Sequence, residues 1–256
     1  MTVCRSRRPS RWRALFLPLV LAAAGCATQQ GTAPGLTSDN RIHIADAAAA
    51  SGDDDLAASL YAAAAASAPN DTALQLRAAA ALAKVGHVAQ ARQVIARRLA
   101  AAPDDTGAIR ARAGLDLGDG RTADAVAALD RVLTRTPDDP AALADKAVAL
   151  DMQAQHAEAQ ALYRRALQAA PDDPAIANNL ALSLLLQGHV REAIAVLSPL
   201  EDSPTLPPRA RSTLALLYAL DGQAEHAHEV LGHDLPDAYV AEVAKAVAAG
   251  HPLPSS

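Results

Sequence analysis

Apolar residues recur every three or four positions along most of the chain, which is the spacing of amphipathic helices. In residues 140–174, "PAALADKAVALDMQAQHAEAQALYRRALQAAPDDP", this spacing holds on both sides of Ala154. The pattern predicts two helices joined by a turn at Ala154. The basic unit is therefore a helical hairpin.

The same unit returns with a period of 34 residues. Prolines lie at 69, 103, 137 and 171, and glycines at 52, 86, 120, 188 and 222, with Ala154 in the glycine position once. Two series of alanines, from Ala45 and from Ala57, keep the same period up to Ala215 and Ala227. This periodicity predicts six repeats, which are 38–71, 72–105, 106–139, 140–173, 174–207 and 208–241. Hairpins of this size must stack on each other to be stable.

Residues at the repeat boundaries explain why each helix starts and stops there. The aspartates at 71, 105, 139 and 173 can cap the free N–H groups of the next helix. Pro140 and Pro174 follow at the first helical position, where no N–H is needed. A glycine between the two helices supplies the positive φ of the turn.

Two parts of the array depart from this pattern. In the third repeat, Arg112 and Asp116 occupy usually apolar places, and glycines at 107, 114 and 118 weaken its first helix. We expect a soft joint there. At the other end, "DLPDAYVAEVAKAVAAG" predicts a helix from about Pro236 to Gly250, of the kind that caps an open solenoid. The array is assigned to residues 38–241, and residues 242–256 to the rest of the capping helix and a short tail.

These hairpins resemble the tetratricopeptide repeat family. The resemblance is carried by small residues at Ala147, Ala159 and Ala166, by Tyr163, and by Pro171 at the close of the unit. It implies an all-α solenoid of about six hairpins with a C-terminal capping helix, whose first helices line a peptide-binding groove. In this family the residues that face the groove come two, five, six, nine, twelve and thirteen places into each unit. In the fifth and sixth repeats the matching groove residues are Asn178, Asn179, Leu182, Leu185, Leu186, Ser212, Leu216 and Leu220. The alternative is that these leucines pack against the C-terminal helix.

The N-terminal segment predicts export and lipidation. Five arginines in residues 1–13 precede an apolar stretch, 14–24, that is too short to span a bilayer. Residues 1–25 are therefore read as a signal peptide. The sequence "AAAGC" at 22–26 resembles the lipobox of bacterial lipoproteins, in which the cysteine, here Cys26, is lipidated after cleavage. An ordinary cleaved signal peptide and an uncleaved N-terminal anchor remain alternatives. Residues 26–37 would be the lipidated cysteine and its tether.

Location and charge follow from this cleavage. It removes five of the 23 basic residues and none of the 28 acidic ones, so the remaining chain carries a net charge of −10. An acidic protein without a basic stripe is not expected to bind nucleic acid. In the sorting pattern that lipoproteins follow, an aspartate after the lipidated cysteine retains the protein at the inner membrane. Ala27 stands there instead, which implies the periplasmic face of the outer membrane.

Candidate chemistry is sparse, and we predict no enzyme, no metal and no cofactor. The chain has none of the common nucleotide-binding, hydrolase or metalloprotease motifs. Histidines 226, 228 and 233 do not fall on one helical face. The acidic pairs 104–105, 138–139 and 172–173 raise the question of calcium, but helix capping already accounts for them.

Residues 178–231 and the final "DLP" helix resemble the TadD family, the tetratricopeptide lipoproteins of tight-adherence (Flp pilus) secretion. The carrying features are the asparagine pair 178–179, "LSPL" at 197–200 and the Pro-rich spacer that follows. The resemblance implies a pilotin or assembly scaffold that binds the secretin of the outer-membrane pore. Two alternatives stay open: a periplasmic scaffold of another envelope machine (type IV pilus, polysaccharide export, outer-membrane assembly), and an accessory activator of an envelope enzyme.

Overall fold

The computed structural model describes residues 37–232 and 235–250. Within these ranges the chain is all-α. Its helices are α1 (Ser38–Ser51), α2 (Asp54–Ser67), α3 (Thr72–Lys84), α4 (Val88–Ala101), α5 (Thr106–Gly118), α6 (Thr122–Arg135), α7 (Pro140–Met152), α8 (His156–Ala169), α9 (Pro174–Leu186), α10 (Val190–Leu197), α11 (Pro208–Leu220), α12 (Ala224–Leu231) and α13 (Asp237–Ala249). A 3-10 turn, Ser198–Leu200, follows α10.

Consecutive helices pair into six hairpins, α1–α2 to α11–α12, and α13 packs on α11. The first helices of neighbouring hairpins also contact each other, from α3 through α5, α7 and α9 to α11. They therefore form one continuous layer, with the second helices outside it. The predicted all-α solenoid with a capping helix is confirmed.

The local signals at the hairpin boundaries act as predicted. The Oδ1 atoms of Asp71, Asp105 and Asp139 each accept a hydrogen bond from the N–H three residues later, at 2.9–3.0 Å. Asp173 Oδ1 accepts from two backbone N–H groups. α11 differs, since it starts after Pro207 without a side-chain cap.

Each turn within a hairpin is closed by one residue with positive φ. Five of these are the predicted glycines, with φ between 73° and 83°, and the sixth is Ala154 with φ of 59°. The next residue donates its N–H to the carbonyl five positions back, as Gln155 does to Leu150 at 2.9 Å. Ala154 thus adopts the glycine geometry of the other turns despite its Cβ.

Packing is uneven along the array. One hydrophobic cluster runs through the last three hairpins into α13, from Leu143 to Val243. The first three hairpins instead hold smaller clusters, in which alanine dominates. The C-terminal half is consequently the better-packed part, since larger side chains bury more apolar surface.

The third hairpin carries an ion-pair network where its neighbours carry leucine. Asp116 occupies the repeat position of Leu82 and Leu150, and its side chain is 3% exposed. Its Oδ1 lies 2.7 Å from Arg92 Nη1 on α4 and 2.5 Å from Arg121 Nη2 in the following turn. Burial raises the pKa of Asp116, but the hydrogen bonds from the two arginines outweigh it and hold that pKa below its usual value. Charge pairing therefore replaces apolar packing at this joint.

Gly107 in the same hairpin lies against a side chain of the preceding one. A Cβ at this position would lie 2.8 Å from Leu76 Cδ1 on α3, so a larger residue here would require the end of the Leu76 side chain to move. Gly114 and Gly118 have no such neighbour within 4 Å. Only these two glycines keep the purely weakening role that the sequence predicts. The softness of the joint stays a prediction.

Candidate functional site

A cavity of about 750 Å³ opens on the layer of first helices, between the fourth and fifth hairpins. This volume is within the usual range of ligand pockets, roughly 300–1,000 Å³. Its lining comes from α7, the α7–α8 turn, α8, α9 and the residue that ends α13. Within residues 37–232 and 235–250, the lining residues are Val148, Asp151, Met152, Ala154, His156, Tyr163, Asn179, Leu182, Ser183, Leu186 and Gly250.

The walls of the cavity are mainly apolar. Val148, Leu182 and Leu186 are half-buried, and Met152 is 52% exposed. Methionine is flexible and polarisable, so it adapts to ligands of irregular shape. Binding of an apolar side chain at this surface would be favourable in free energy, because it would remove Met152, Leu182 and Leu186 from water.

One polar cluster lies against these walls and is centred on Asp151. The Oδ1 of Asp151 accepts a hydrogen bond from Ser183 Oγ at 2.7 Å, and His156 Nδ1 lies 2.8 Å from the same oxygen. Burial raises the pKa of Tyr163, and the negative charge of Asp151 raises it further, so this phenol stays protonated. Asp151 is thereby held in one position by its neighbours.

The connectivity of this cluster favours recognition over catalysis. In a hydrolytic triad the histidine lies between the carboxylate and the serine and takes the serine proton. Here the carboxylate of Asp151 lies between Ser183 and His156, so the serine hydrogen is directed at Asp151. His156 is therefore not the group that accepts the hydroxyl hydrogen of Ser183, as a triad requires. The cluster presents a fixed, partly exposed acceptor instead.

The structure distributes the predicted groove residues over three environments. Asn179, Leu182 and Leu186 line the cavity. Leu185 and Leu216 are buried in the same cluster as Val243 of α13, and Leu220 packs against that cluster. Asn178 is also buried, with its Oδ1 unpaired, whereas Ser212 is exposed and donates to Pro208 O at 3.1 Å. Some of the predicted groove residues thus line an open cavity, whereas others are buried in the cluster that includes α13. Peptide binding by these residues stays a prediction.

Three lining residues on the first helix of the fourth repeat, α7, are absent from the sequence-based set: Val148, Asp151 and Met152. They are residues nine, twelve and thirteen of repeat 140–173. The family rule that selected the groove residues of the fifth and sixth repeats includes these positions. Applied one repeat earlier, the rule finds them.

Helix α13 fixes one edge of the cavity. Val243 is fully buried, and a Cβ at Gly188 of the α9–α10 turn would lie 3.8 Å from Val247 Cγ1. The helix ends at Gly250, which has φ of 65° and forms part of the cavity wall. The capping helix therefore borders the open cavity as well as covering the sixth hairpin.

The histidines considered for metal binding lie elsewhere. His226 Nε2 is 3.2 Å from Glu201 Oε1, its Nδ1 is 3.0 Å from Glu229 Oε2, and its ring packs edge-on against Tyr218. The hydrogen bond with Glu229 raises the pKa of His226. Within the described residues no cluster of three metal-binding side chains occurs. His233, the signal segment and Cys26 lie outside the described residues.

None of the helices in the described ranges is long and apolar enough to cross a bilayer. This concerns residues 37–232 and 235–250 only. Attachment through Cys26 stays a prediction.

Comparison with known proteins supports the repeat assignment. Residues 116–182 and 152–204 match the family model of the tetratricopeptide repeat. No curated protein matches the chain.

Three solved structures show the same fold. A tetratricopeptide repeat protein from Parabacteroides merdae has a TM-score of 0.63 at 14% identity, over 84% of this chain and 86% of that one. PilW, a type IV pilus biogenesis factor, has 0.59 at 21% identity, over 75% and 90%. PilF of Pseudomonas aeruginosa has 0.55 at 14% identity, over 75% and 88%. At these identities the likeness establishes the fold.

Proposed function

We propose that this tetratricopeptide repeat protein is a non-enzymatic, lipid-anchored scaffold at the periplasmic face of the outer membrane. In this proposal, the cavity between the fourth and fifth hairpins captures a segment of an envelope protein. The finer assignment is pilotin-like: the partner is the secretin of a Flp (Tad) pilus secretion system. Cys26 supplies the anchor, and residues 27–37 supply reach.

The observation that carries the proposal is a change in the layer of first helices along the array. Position nine of the six repeats is Asp46, Ala80, Gly114, Val148, Leu182 and Leu216, and position thirteen is Ala50, Lys84, Gly118, Met152, Leu186 and Leu220. Large apolar side chains thus occupy both of these positions only in the last three hairpins. Helix α13 packs on α11 of the sixth, while the cavity lies between the fourth and fifth. A partner is what would remove this remaining surface from water.

The chemistry of the cavity suits a peptide. Its aliphatic walls accept one or two apolar side chains, and the half-buried Asn179 offers a donor and an acceptor to a peptide backbone. Asp151 adds an acceptor for a donor or a cation of the ligand. Membrane attachment raises the local concentration of a membrane-bound partner, so modest affinity for the segment suffices.

Lipidation is tested with the two cysteines of the chain as a matched pair. We expect incorporation of labelled palmitate into the wild-type protein and into Cys4→Ser, and none into Cys26→Ser. Fractionation should then find the first two in the outer membrane. Equal labelling of Cys26→Ser and wild type would contradict the anchor.

Partner binding is tested with two exposed apolar residues. Met152 is 52% exposed and lines the cavity, while Leu56 is 44% exposed on α2 of the first hairpin. In a crosslinking pull-down from membranes, Met152→Glu should reduce recovery of the secretin about tenfold or more, and Leu56→Glu should leave it unchanged. Both variants should melt like the wild type, since neither side chain is in the core. Equal recovery by both variants would refute the cavity as the site.

The identity of the recovered proteins separates the two scaffold proposals. A Flp-system secretin supports the pilotin assignment. The runner-up is a scaffold of a type IV pilus, which is favoured by the likeness to PilW and PilF. Recovery of type IV pilus proteins, with loss at Met152→Glu, would replace the first assignment by the second.

A further inference from the structure

The carboxylate in the cavity is not a requirement of the repeat. Asp151 is residue twelve of the fourth repeat, and Ser183, which donates a hydrogen bond to it, is residue ten of the fifth. In the other five repeats, position twelve is alanine or leucine, and the same holds for position ten. The hairpins thus form and stack without either polar side chain. The contact of Asp151 with Ser183, between α7 and α9, is therefore a feature of the cavity and not of the fold.

The neighbours of Asp151 fix its side chain without using all of its capacity to accept hydrogen bonds. Ser183 is 1% exposed and donates to Asp151 Oδ1 at 2.7 Å, and His156 Nδ1 lies 2.8 Å from the same oxygen. The phenol of Tyr163 also faces this carboxylate, whose charge raises the pKa of Tyr163. An ionised carboxylate offers about four lone-pair sites, so three donors leave room for another. The side chain of Asp151 is 14% exposed and lines the cavity, so a ligand can reach it.

The charge on this wall favours a positively charged ligand group. Within the described residues, the lining of the cavity contains no lysine and no arginine. A cationic donor forms a charge-assisted hydrogen bond with a carboxylate, which is about twice as strong as a neutral one. An acidic group of a ligand would instead meet Asp151 as a like charge, which is unfavourable. The apolar walls around Asp151, such as Val148 and Met152, suit the aliphatic part of a long side chain.

We infer that the cavity selects a partner segment in which a lysine or an arginine stands beside an apolar residue. The aliphatic stem of the cationic side chain packs on the apolar walls, as such stems do on other apolar surfaces. Its charged head pairs with Asp151, which Ser183 and His156 hold in place. The inference rests on the proposed capture of a peptide segment, and it adds which side chain that segment must carry.

Two synthetic peptides that differ in one cationic group test the selection. The probes are dye-labelled Gly-Leu-Lys-Leu-Gly with blocked ends, and the same peptide with norleucine, which keeps an aliphatic stem, in place of lysine. Fluorescence anisotropy measures the dissociation constant of each peptide for the full chain purified in detergent. We expect the lysine peptide to bind about tenfold more tightly than the norleucine peptide. Equal affinities, or tighter binding of the norleucine peptide, would overturn the inference.

Two substitutions of one kind locate the preference. Asp151→Asn keeps the shape of the side chain and removes its charge, so the lysine peptide should bind about tenfold more weakly while the affinity for the norleucine peptide stays unchanged. That unchanged affinity also reports an intact cavity. The control, Asp54→Asn, makes the same change of charge on α2 of the first hairpin and should leave both affinities as in the wild type. An equal loss of the lysine preference in both variants would assign it to the overall charge of the chain and refute the contact with Asp151.

These results separate the inference from the proposed function. If the wild type binds neither peptide, peptide capture by the cavity is refuted together with the inference. If it binds both peptides equally, peptide capture stands and only the selection of a cation is refuted. Recovery of a secretin enters neither result.

Discussion

Ala154 gives the sharpest test of how this array is built, because it keeps a left-handed conformation that glycine holds in every other hairpin turn. Its φ is 59°, and its side chain is exposed. For a residue with a Cβ, this conformation costs roughly 1–2 kcal/mol. Glycine escapes that cost but loses about 0.5–1 kcal/mol more conformational freedom on folding. We therefore expect Ala154→Gly to stabilise the protein by about 0.5–1 kcal/mol.

Gly222→Ala is the reverse substitution at the equivalent turn position of the sixth hairpin. Gly222 has φ of 83°, and a Cβ there would meet no atom within 4 Å. Steric contact thus adds nothing, and the substitution should destabilise by about the same 0.5–1 kcal/mol that Ala154→Gly gains. The two changes test one backbone effect in opposite directions.

Urea unfolding followed by far-ultraviolet circular dichroism measures both variants. The midpoint should rise for Ala154→Gly and fall for Gly222→Ala with an unchanged slope, because neither change alters the surface exposed on unfolding. The melting temperature should move by about 2 °C in the same directions. If Gly222→Ala destabilises as expected while Ala154→Gly is neutral or destabilising, the methyl group of Ala154 contributes contacts, and the argument from backbone strain is wrong.

Three further predictions concern the third and sixth hairpins. Gly114 is exposed in the middle of α5 with no neighbour for a Cβ, so Gly114→Ala should raise the free energy of unfolding by about 1 kcal/mol in the same urea assay. A loss would show that the glycine has a packing role. Asp116→Asn should cost about 2 kcal/mol at pH 7, because Arg92 and Arg121 then lose the buried carboxylate that they share and keep only more exposed partners such as Asp119. The lowered pKa of Asp116 means that its stabilisation is present above its ordinary pKa and disappears as pH falls through the lowered one, so wild type and variant should converge in acid unfolding below pH 4; a constant gap would refute this. The pKa of His226 is raised, so its stabilisation is present below about pH 6.5 and is lost as pH rises through the raised value. An NMR titration should give a pKa above 6.5 that returns towards normal in Glu229→Gln, and an unshifted value would contradict the assigned contacts.

The sequence predicts the helices and turns well because their causes are local. A capping aspartate acts on N–H groups within three residues, and the turn residue needs only its own φ. The 34-residue period repeats these signals, so even Ala154, which breaks the glycine pattern, is placed correctly in its turn. The end of α13 at Gly250 follows from the same kind of signal.

The ion-pair network and the location of the cavity could not be predicted this way, because they depend on contacts between distant residues. Within its own helix, Asp116 is simply an acidic residue at a position that is usually apolar. Arg92, which pairs with it, comes from the previous hairpin, 24 positions earlier. Likewise, the 34-residue period places Leu182 and Leu216 at the same position of the predicted groove. They differ in exposure: Leu216 lies on α11, on which α13 packs, and is 7% exposed, whereas Leu182 lines the cavity.

The unequal packing of the two halves bears on how the proposed scaffold would work. In the first three hairpins, the small clusters and the Asp116 network hold the helices together with few large apolar side chains, and the layer of first helices carries Lys84 and Asp46. In the last three, one continuous cluster extends into α13 and supports the cavity. A binding site is precise when rigid elements position it. The large apolar residues are thus concentrated in the half of the array that contains the cavity. The alanine-packed half would then act mainly as a spacer between the predicted anchor at Cys26 and that site.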